Sequence, residues 1–215
     1  MRYWLLLLVT IVMGNLTAQE AKWELKKEKN DVKVYVRESA DSPIKELRMV
    51  FEVEASMDAI VALLQDVEAI PDWVYKCPES YLIKKVSAEE EYYYNRIDFP
   101  WPMNDRDFVL RSVLTKDTAK GTMRSESWIA PDVIPEKEGI VRIKDLHLWW
   151  DFTPKPNGIV HIDYGLQSDP GGYIPAWMIN MAIDQGPLQT IKQFKKALKN
   201  PKYKNAKVAF LNGEF

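Results

Sequence analysis

The chain has 215 residues, of which 47% are hydrophobic and 12% aromatic, and its formal net charge is −2. This length fits one large domain with a sizeable core better than two small domains. The charge gives no electrostatic argument for a nucleic-acid partner, because phosphate-binding domains usually carry a basic excess. Eight Trp and ten Tyr residues supply large apolar surfaces, which suit either a packed core or the wall of a ligand cavity.

The N-terminal segment has the layout of a signal peptide. Arg2 precedes an apolar run from Trp4 to Met13, and Ala18 supplies a small residue for cleavage. The run is shorter than the ~20 residues that a membrane-spanning helix needs. We therefore expect a cleaved signal peptide at 1–19, a folded domain at 20–200 and a C-terminal tail at 201–215, with the mature protein periplasmic or secreted. The alternative is an uncleaved N-terminal anchor.

The first elements after this segment follow from hydrophobic periodicity. Apolar residues alternate with polar ones over Val32–Arg37 and Leu47–Val53, which predicts two half-buried strands. Ser56 is typical of an N-cap, and Met57–Val67 carries apolar residues mostly at helical spacing. Prolines then predict a short second helix or turn around Trp73.

Six strand-like runs follow, and their short connections favour antiparallel pairing. They are Ser80–Val86, Tyr92–Phe99, Phe108–Thr115, Thr122–Ile129, Ile140–Phe152 and Ile159–Leu166. A helical pattern then runs from Pro175 to Leu198, with a kink expected at Pro187 because proline lacks the amide hydrogen. The order indicates an α+β fold in which a long, curved antiparallel sheet grips a C-terminal helix.

Little in the chain resembles catalytic or metal-binding chemistry. Cys77 is the only cysteine and is expected to be a small buried residue. A hairpin closed near Pro156–Gly158 would separate His147 from His161 by roughly 13–20 Å at ~3.3 Å per residue, too far for one metal ion. The acidic run Glu89–Glu91 is expected to be a solvated turn. We therefore expect no cofactor, no metal and no enzymatic activity.

Several side chains in loops and in the last helix could serve either structure or ligand binding. Arg106 and Asp107 are expected to pin the preceding loop, with head-group binding as the alternative. Trp101 and Met103 have few local partners, so they either plug into the core or cover an opening. Three apolar side chains of the last helix fit either core packing or an adaptable cavity wall. They are Trp177, Met178 and Met181.

The order of several motifs resembles the START (StAR-related lipid-transfer) domain of the helix-grip, or Bet v 1-like, superfamily. The motifs are Trp23, Val32–Arg37, Trp73, the proline loop followed by Arg106–Val109, Val141–Arg142, and Asp169–Pro175 with Trp177. The resemblance covers about Trp23–Lys199. It implies a curved antiparallel β-sheet wrapped around the long C-terminal helix, with an internal hydrophobic cavity for one lipid. The loop at 99–105 and the helix beginning near Ile174 would form its lid.

The resemblance also suggests where a ligand would bind. Sterol-binding members often carry an acid and an Arg that face each other in the tunnel. Counting along the chain puts Tyr93 and Ser112 at those places, which departs from the family pattern and argues against sterol recognition through that pair, although a strand bulge could bring Arg111 to the place of Ser112. Tyr93 and Ser112 would instead offer a neutral, hydrogen-bonding interior. The cavity or lid candidates are Trp73, Tyr93, Trp101, Met103, Ser112, Arg142, Trp149, Trp177, Met178 and Met181.

The sequence therefore predicts a monomeric, non-catalytic carrier for one lipid or other hydrophobic ligand, with transient contact to a membrane surface. Two alternatives stay open. One is an aromatase- or cyclase-type enzyme of the same superfamily, for which Tyr93, Arg142 and His161 are the polar residues that would have to converge. The other is an interaction domain with a filled core. A cavity of roughly 300–1,000 Å³ separates this last alternative from the others.

Overall fold

A computed structural model describes residues 21–208 of the chain. The predicted signal peptide at 1–19 and the end of the predicted tail lie outside the described residues. Within them, ten strands form one sheet in the order β1-β2-β3-β10-β9-β7-β6-β5-β4, with β8 paired to β6. Every pair of neighbours is antiparallel except β8 and β6. The α+β helix-grip architecture is therefore confirmed.

The elements have the following bounds. The strands are β1 (Glu24–Lys29), β2 (Val32–Arg37), β3 (Glu46–Glu54), β4 (Glu79–Lys85), β5 (Glu90–Ile97), β6 (Arg106–Asp117), β7 (Thr122–Ile129), β8 (Val141–Arg142), β9 (Asp145–Pro154) and β10 (Ile159–Asp169). The helices are α1 (Met57–Leu64), α2 (Ile70–Trp73), α3 (Ala176–Ala182), α4 (Gln185–Ala197) and α5 (Pro201–Lys204).

Local sequence signals explain the elements around the first helix. The Ser56 hydroxyl accepts a hydrogen bond from the Ala59 amide at 3.1 Å and so caps α1 as predicted.

The predicted strand Ile140–Phe152 is instead two strands, β8 and β9, which pair with different neighbours. The hairpin between β9 and β10 turns at Pro156–Gly158.

Two short elements carry no signal that the sequence analysis detected. Strand β1 is almost wholly exposed, so its residues show no alternation between a buried and a solvated face. Helix α5 lies in the predicted C-terminal tail, where the Asn200 side chain caps the Lys202 amide at 2.9 Å. The helix buries Tyr203, whose hydroxyl donates to Asp66 at 2.7 Å. None of the helices in residues 21–208 is long and apolar enough to cross a membrane.

The long C-terminal helix is interrupted at Ile183–Asp184 rather than kinked at Pro187. Pro187 occupies the first turn of α4, where a backbone N–H has no partner within the helix and its loss is tolerated. The helix therefore breaks one turn before the proline. Its two halves differ in packing, because α4 buries Ile191 and Phe194 whereas α3 has no buried residue.

The main core lies between the concave face of the sheet and helices α1, α2 and α4. The Phe194 ring packs against Trp73, with ring centroids 5.5 Å apart, and against Trp150, with centroids 5.1 Å apart. This aromatic contact fixes α4 across the sheet. The space that the core leaves open beside it forms the candidate site.

Candidate functional site

A cavity of about 340 Å³ lies between the concave face of the sheet and helices α1, α2 and α4. Residues i and i+2 of a strand share one face, so alternate residues of β5, β6, β7, β9 and β10 point into it. Most of these side chains are apolar, including Leu110, Leu148 and Leu166, and the aromatic rings of Trp150 and Tyr164 join them. Such a wall suits a predominantly apolar ligand.

One row of neighbouring polar side chains crosses the cavity wall. Glu91 on β5 lies opposite Ser112 on β6, and Ser112 lies opposite Ser127 on β7. The Ser127 hydroxyl donates to the Ser112 hydroxyl at 3.0 Å. Glu91, Ser112 and Ser127 are called the polar row below. Tyr93 stands next to this row, and its phenol interacts with Ser127.

Burial controls the protonation of the acidic groups at this wall. Desolvation raises the pKa of the Glu91 carboxyl, because burial disfavours its charged form. The same effect raises the pKa values of the Tyr93 and Tyr164 phenols well above their ordinary range. Both tyrosines therefore remain neutral hydrogen-bonding groups at physiological pH. Among the residues of 21–208 that line the cavity, none is Arg, Lys or His.

Three of the ten predicted cavity or lid residues lie on the cavity wall. They are Trp73, Tyr93 and Ser112. The five lid candidates do not reach it: Trp101, Met103, Trp177, Met178 and Met181. Trp101 is 93% exposed and Trp177 is 66% exposed, so neither plugs into the core. Trp101, Tyr173, Trp177 and Met181 are all exposed, and together they are called the apolar lid surface.

Trp149 lies on the convex face of the sheet and does not line the cavity. The even-numbered residues of β9 from Leu146 to Phe152 face inward, which leaves Trp149 to cover Gly165 of the neighbouring strand. A Cβ atom at Gly165 would lie 1.9 Å from the Trp149 ring. Glycine is therefore required for this contact. Trp150, the next residue in the chain, takes the inward position.

Arg142 is also absent from the cavity wall, because it forms a buried ion pair with Asp107. The Arg142 Nε–Asp107 Oδ1 distance is 2.8 Å. Asp107 raises the pKa of the Arg142 guanidinium through this hydrogen bond. Asp107 was expected to help pin the preceding loop, but its carboxylate instead pairs with Arg142, whose other N–H groups donate to carbonyl oxygens of the segment before β8.

Arg106 joins the loop at 99–105 to the turn that precedes α3. Its guanidinium donates to the carbonyl oxygens of Pro170 and Gly171, both at 3.1 Å, and to that of Asn104. It also lies over the Phe99 ring, 4.2 Å from the centroid. This arrangement pins the loop, as predicted, and links it to a second segment.

The polar residues considered for an enzyme do not converge. Tyr93 lines the cavity, whereas Arg142 and His161 do not. His161 lies opposite Thr153 and His147 lies opposite Gln167, so the two histidines are far apart along the hairpin. The described residues contain no group of three or more His, Cys, Asp or Glu side chains that could hold a metal ion.

Several residues that line the cavity were not predicted from the sequence, and Glu91 is the most important of them for ligand binding. The acidic run Glu89–Glu91 was expected to be a solvated turn, but Glu91 is only 6% exposed and lines the cavity. The available signal was the alternation of β5, in which Glu91 shares a face with Tyr93. Ser127, Trp150 and Tyr164 were also missed, because the inward face of their strands was undetermined.

Comparisons with known proteins agree with one another in finding similarity to START-domain and lipid-transfer proteins. A family model described as START domain matches residues 7–204. An uncharacterized protein of Pseudomonas aeruginosa is 36% identical over 186 residues, which cover 86% of this chain and 90% of that protein. The phosphatidylcholine transfer protein of Mus musculus is 27% identical over 186 residues, covering 84% and 85% of the two chains. The solved structure of a STAR-related lipid transfer protein from Xanthomonas axonopodis has a TM-score of 0.77 at 31% identity, covering 83% of this chain and 99% of that chain.

Proposed function

This chain belongs to the START domain family, and we propose on that premise that it binds one hydrophobic ligand in its cavity and transfers it without chemical change. The observation that carries the proposal is the cavity of about 340 Å³ with a mainly apolar wall. A ligand enclosed there gains ~0.8 kcal/mol for each CH₂ group removed from water. The same cavity argues against an interaction domain with a filled core.

The size of the cavity bears on the ligand. Its volume lies at the low end of the range of about 300–1,000 Å³ that is usual for pockets holding drug-sized molecules. A single-chain or compact ring-shaped ligand fits this space better than a lipid with two long chains. The relatives named as phosphatidylcholine transfer proteins support a lipid ligand as a class, at 27% identity and below.

Exchange with a membrane would use the apolar lid surface. Helix α3 buries none of its residues and is held by the Asn180 side chain, which accepts from the Lys45 amide at 2.8 Å and donates to the Pro43 carbonyl at 3.0 Å. Its apolar side chains are therefore free to enter the boundary between head groups and acyl chains, where Trp and Met are favourable. We propose that this contact is transient and that the protein acts as a monomer.

We also propose that the protein works outside the cytoplasm, after cleavage of residues 1–19. The apolar run from Trp4 to Met13 and the small residue Ala18 support this proposal. The mass of the purified protein, expressed with its natural N-terminus in a bacterial host, tests it. A mass that corresponds to a start near Gln19 or Glu20, in the periplasmic fraction, is expected. An intact N-terminus in the cytoplasm would refute export.

Native mass spectrometry of detergent-free protein, followed by organic extraction, tests the binding function. The expected result is a monomer with a discrete added mass whose extract is a hydrophobic small molecule. Leu110→Trp, which fills the cavity, should abolish the adduct, whereas Leu82→Trp should retain it because Leu82 is 41% exposed on β4. A wild-type protein that stays empty after incubation with a membrane extract would exclude the carrier function.

A further inference from the structure

The described part of the chain buries six charged side chains, and Glu91 differs from the other five in its surroundings. Those five are Glu46, Arg106, Asp107, Arg142 and Asp184. Each of them has an ion-pair partner or donates to backbone carbonyl groups. The Glu91 carboxyl forms neither a hydrogen bond nor an ion pair with any residue of 21–208.

The positive charge that acts on Glu91, that of Lys85, does not compensate for the burial of the Glu91 carboxyl. Lys85 lies opposite Glu91 in the register of β4 and β5, but it is exposed to solvent. Its charge lowers the pKa of Glu91 less than burial raises it. Buried carboxyl groups in proteins are normally paired or hydrogen-bonded, because an unsatisfied one destabilises the fold. The Glu91 oxygens are not among the fully enclosed polar atoms that lack a partner, so water or a ligand in the cavity can bind them.

The groups around Glu91 define what that partner can be. Ser112 and Ser127 add two hydroxyl groups along the same row, and Tyr93 adds a neutral phenol. Protein sites for carboxylate or phosphate use Arg or Lys side chains, which this wall lacks. An anionic head group at the polar row would therefore meet the Glu91 carboxyl and no cation of the cavity wall.

We propose that the polar row binds the polar end of the ligand, and that this end is a hydrogen-bond donor without negative charge, either a hydroxyl or a protonated amine. Glu91 accepts the hydrogen bond from this group, and the serine hydroxyls complete its coordination. This inference rests on the proposed carrier function and narrows the class of ligand. It makes Glu91 the residue that determines specificity.

The position of the polar row also orients the ligand. Ile97 lines the cavity next to the loop at 99–105, six residues along β5 from Glu91. At ~3.3 Å per residue, the two ends of this strand are about 20 Å apart. The apolar part of the ligand therefore extends from the polar row toward Arg106 and the loop that it holds.

Three ligands with the same alkyl chain and different head groups test the proposal. They are 1-decanol, decylamine and decanoic acid, each used to displace Nile red from the full-length protein at pH 8, where the amine is protonated and the acid is ionised. We expect the alcohol and the amine to bind at least about tenfold more tightly than the acid, as one hydrogen bond to a charged group implies. Equal binding of all three would overturn the inference and leave the carrier function intact. Failure of all three and of Nile red would refute both.

Substitutions in the polar row test whether Glu91 determines the preference for one head group over another. Glu91→Gln keeps the size of the side chain and should reduce the preference for the amine over the acid about tenfold. Glu90→Gln is the matched control, since Glu90 precedes Glu91 on β5 but pairs with Arg111 at 2.8 Å, away from the cavity. Ser112→Ala should lower alcohol binding by a smaller factor and serves if Glu91→Gln does not fold. An unchanged preference in a folded Glu91→Gln protein would exclude Glu91 as the determinant.

Discussion

Arg142 and Asp107 face each other through two hydrogen bonds, Nε–Oδ1 at 2.8 Å and Nη2–Oδ2 at 3.1 Å, and their side chains are 1% and 0% exposed. The remaining N–H groups of the guanidinium donate to backbone carbonyl oxygens of the segment before β8. These belong to Pro131, Ile134 and Pro135. One buried cation thus connects β6 to an irregular segment that has little core of its own.

Removing one member of this pair should destabilise the protein strongly. Asp107→Ala leaves the Arg142 charge buried without a counter-ion, so the free energy of unfolding should fall by about 3–5 kcal/mol. Urea denaturation monitored by tryptophan fluorescence measures the change. Glu52→Ala, at an exposed pair with Lys155, is the control and should change stability little. Similar effects of the two variants would show that the buried pair is not a main structural contact.

A methyl group at Gly165 should displace Trp149. Because the added Cβ would lie 1.9 Å from the ring, Gly165→Ala should reduce the free energy of unfolding by about 1–3 kcal/mol. In a Trp149→Ala background the same substitution meets no ring, and its effect should largely disappear. A double-mutant cycle measured by thermal unfolding gives the interaction energy. Additive effects would contradict the assigned contact.

Glu91 should make the stability of the ligand-free protein depend on pH. Burial raises the pKa of Glu91 in the folded state, so its contribution to stability is fully present below the ordinary glutamate pKa of about 4.3. The unfolded chain releases its proton first as the pH rises, and the contribution is lost as the pH passes through the folded-state value. Glu91→Gln should therefore raise the Tm at pH 7 by about 2–4 °C, and by less at pH 4.

Calorimetry of protein stripped of ligand by organic extraction and refolding gives these temperatures. Glu90→Gln, at the neighbouring half-buried position that is paired with Arg111 and lies outside the cavity wall, provides the reference for removing a charge that is not desolvated in the cavity. A gain in Tm that is the same at both pH values would mean that the Glu91 carboxyl is not desolvated.

The apolar lid surface should contribute to vesicle binding and not to folding. Trp177→Ser removes an exposed ring, so the partition onto phospholipid vesicles should fall about tenfold or more, consistent with ~2 kcal/mol for burying one large apolar side chain. Its Tm should match that of the wild type. Leu25→Ser changes an exposed apolar residue on β1 and should leave vesicle binding intact. If both variants bind vesicles like the wild type, α3 does not contact the membrane.

Periodicity predicted most strands and both major helical segments, because alternation and helical spacing are local properties of the chain. It failed where the outcome depends on distant partners. The inward face of β9 is set by its pairing with β7 and β10, so the neighbours Trp149 and Trp150 could not be distinguished beforehand. The same holds for Glu91, whose burial results from its position opposite Ser112 rather than from the acidic run that contains it.

The shared anchorage at Arg106 has a kinetic consequence. The same guanidinium binds carbonyl groups of two segments, Asn104 in the loop at 99–105 and Pro170 and Gly171 in the turn before α3. If either segment moved alone, buried N–H groups would lose their acceptors while those on the other side stayed bound, which is unfavourable. We therefore expect the two segments to move together, so that the time course of ligand dissociation through this region follows one exponential.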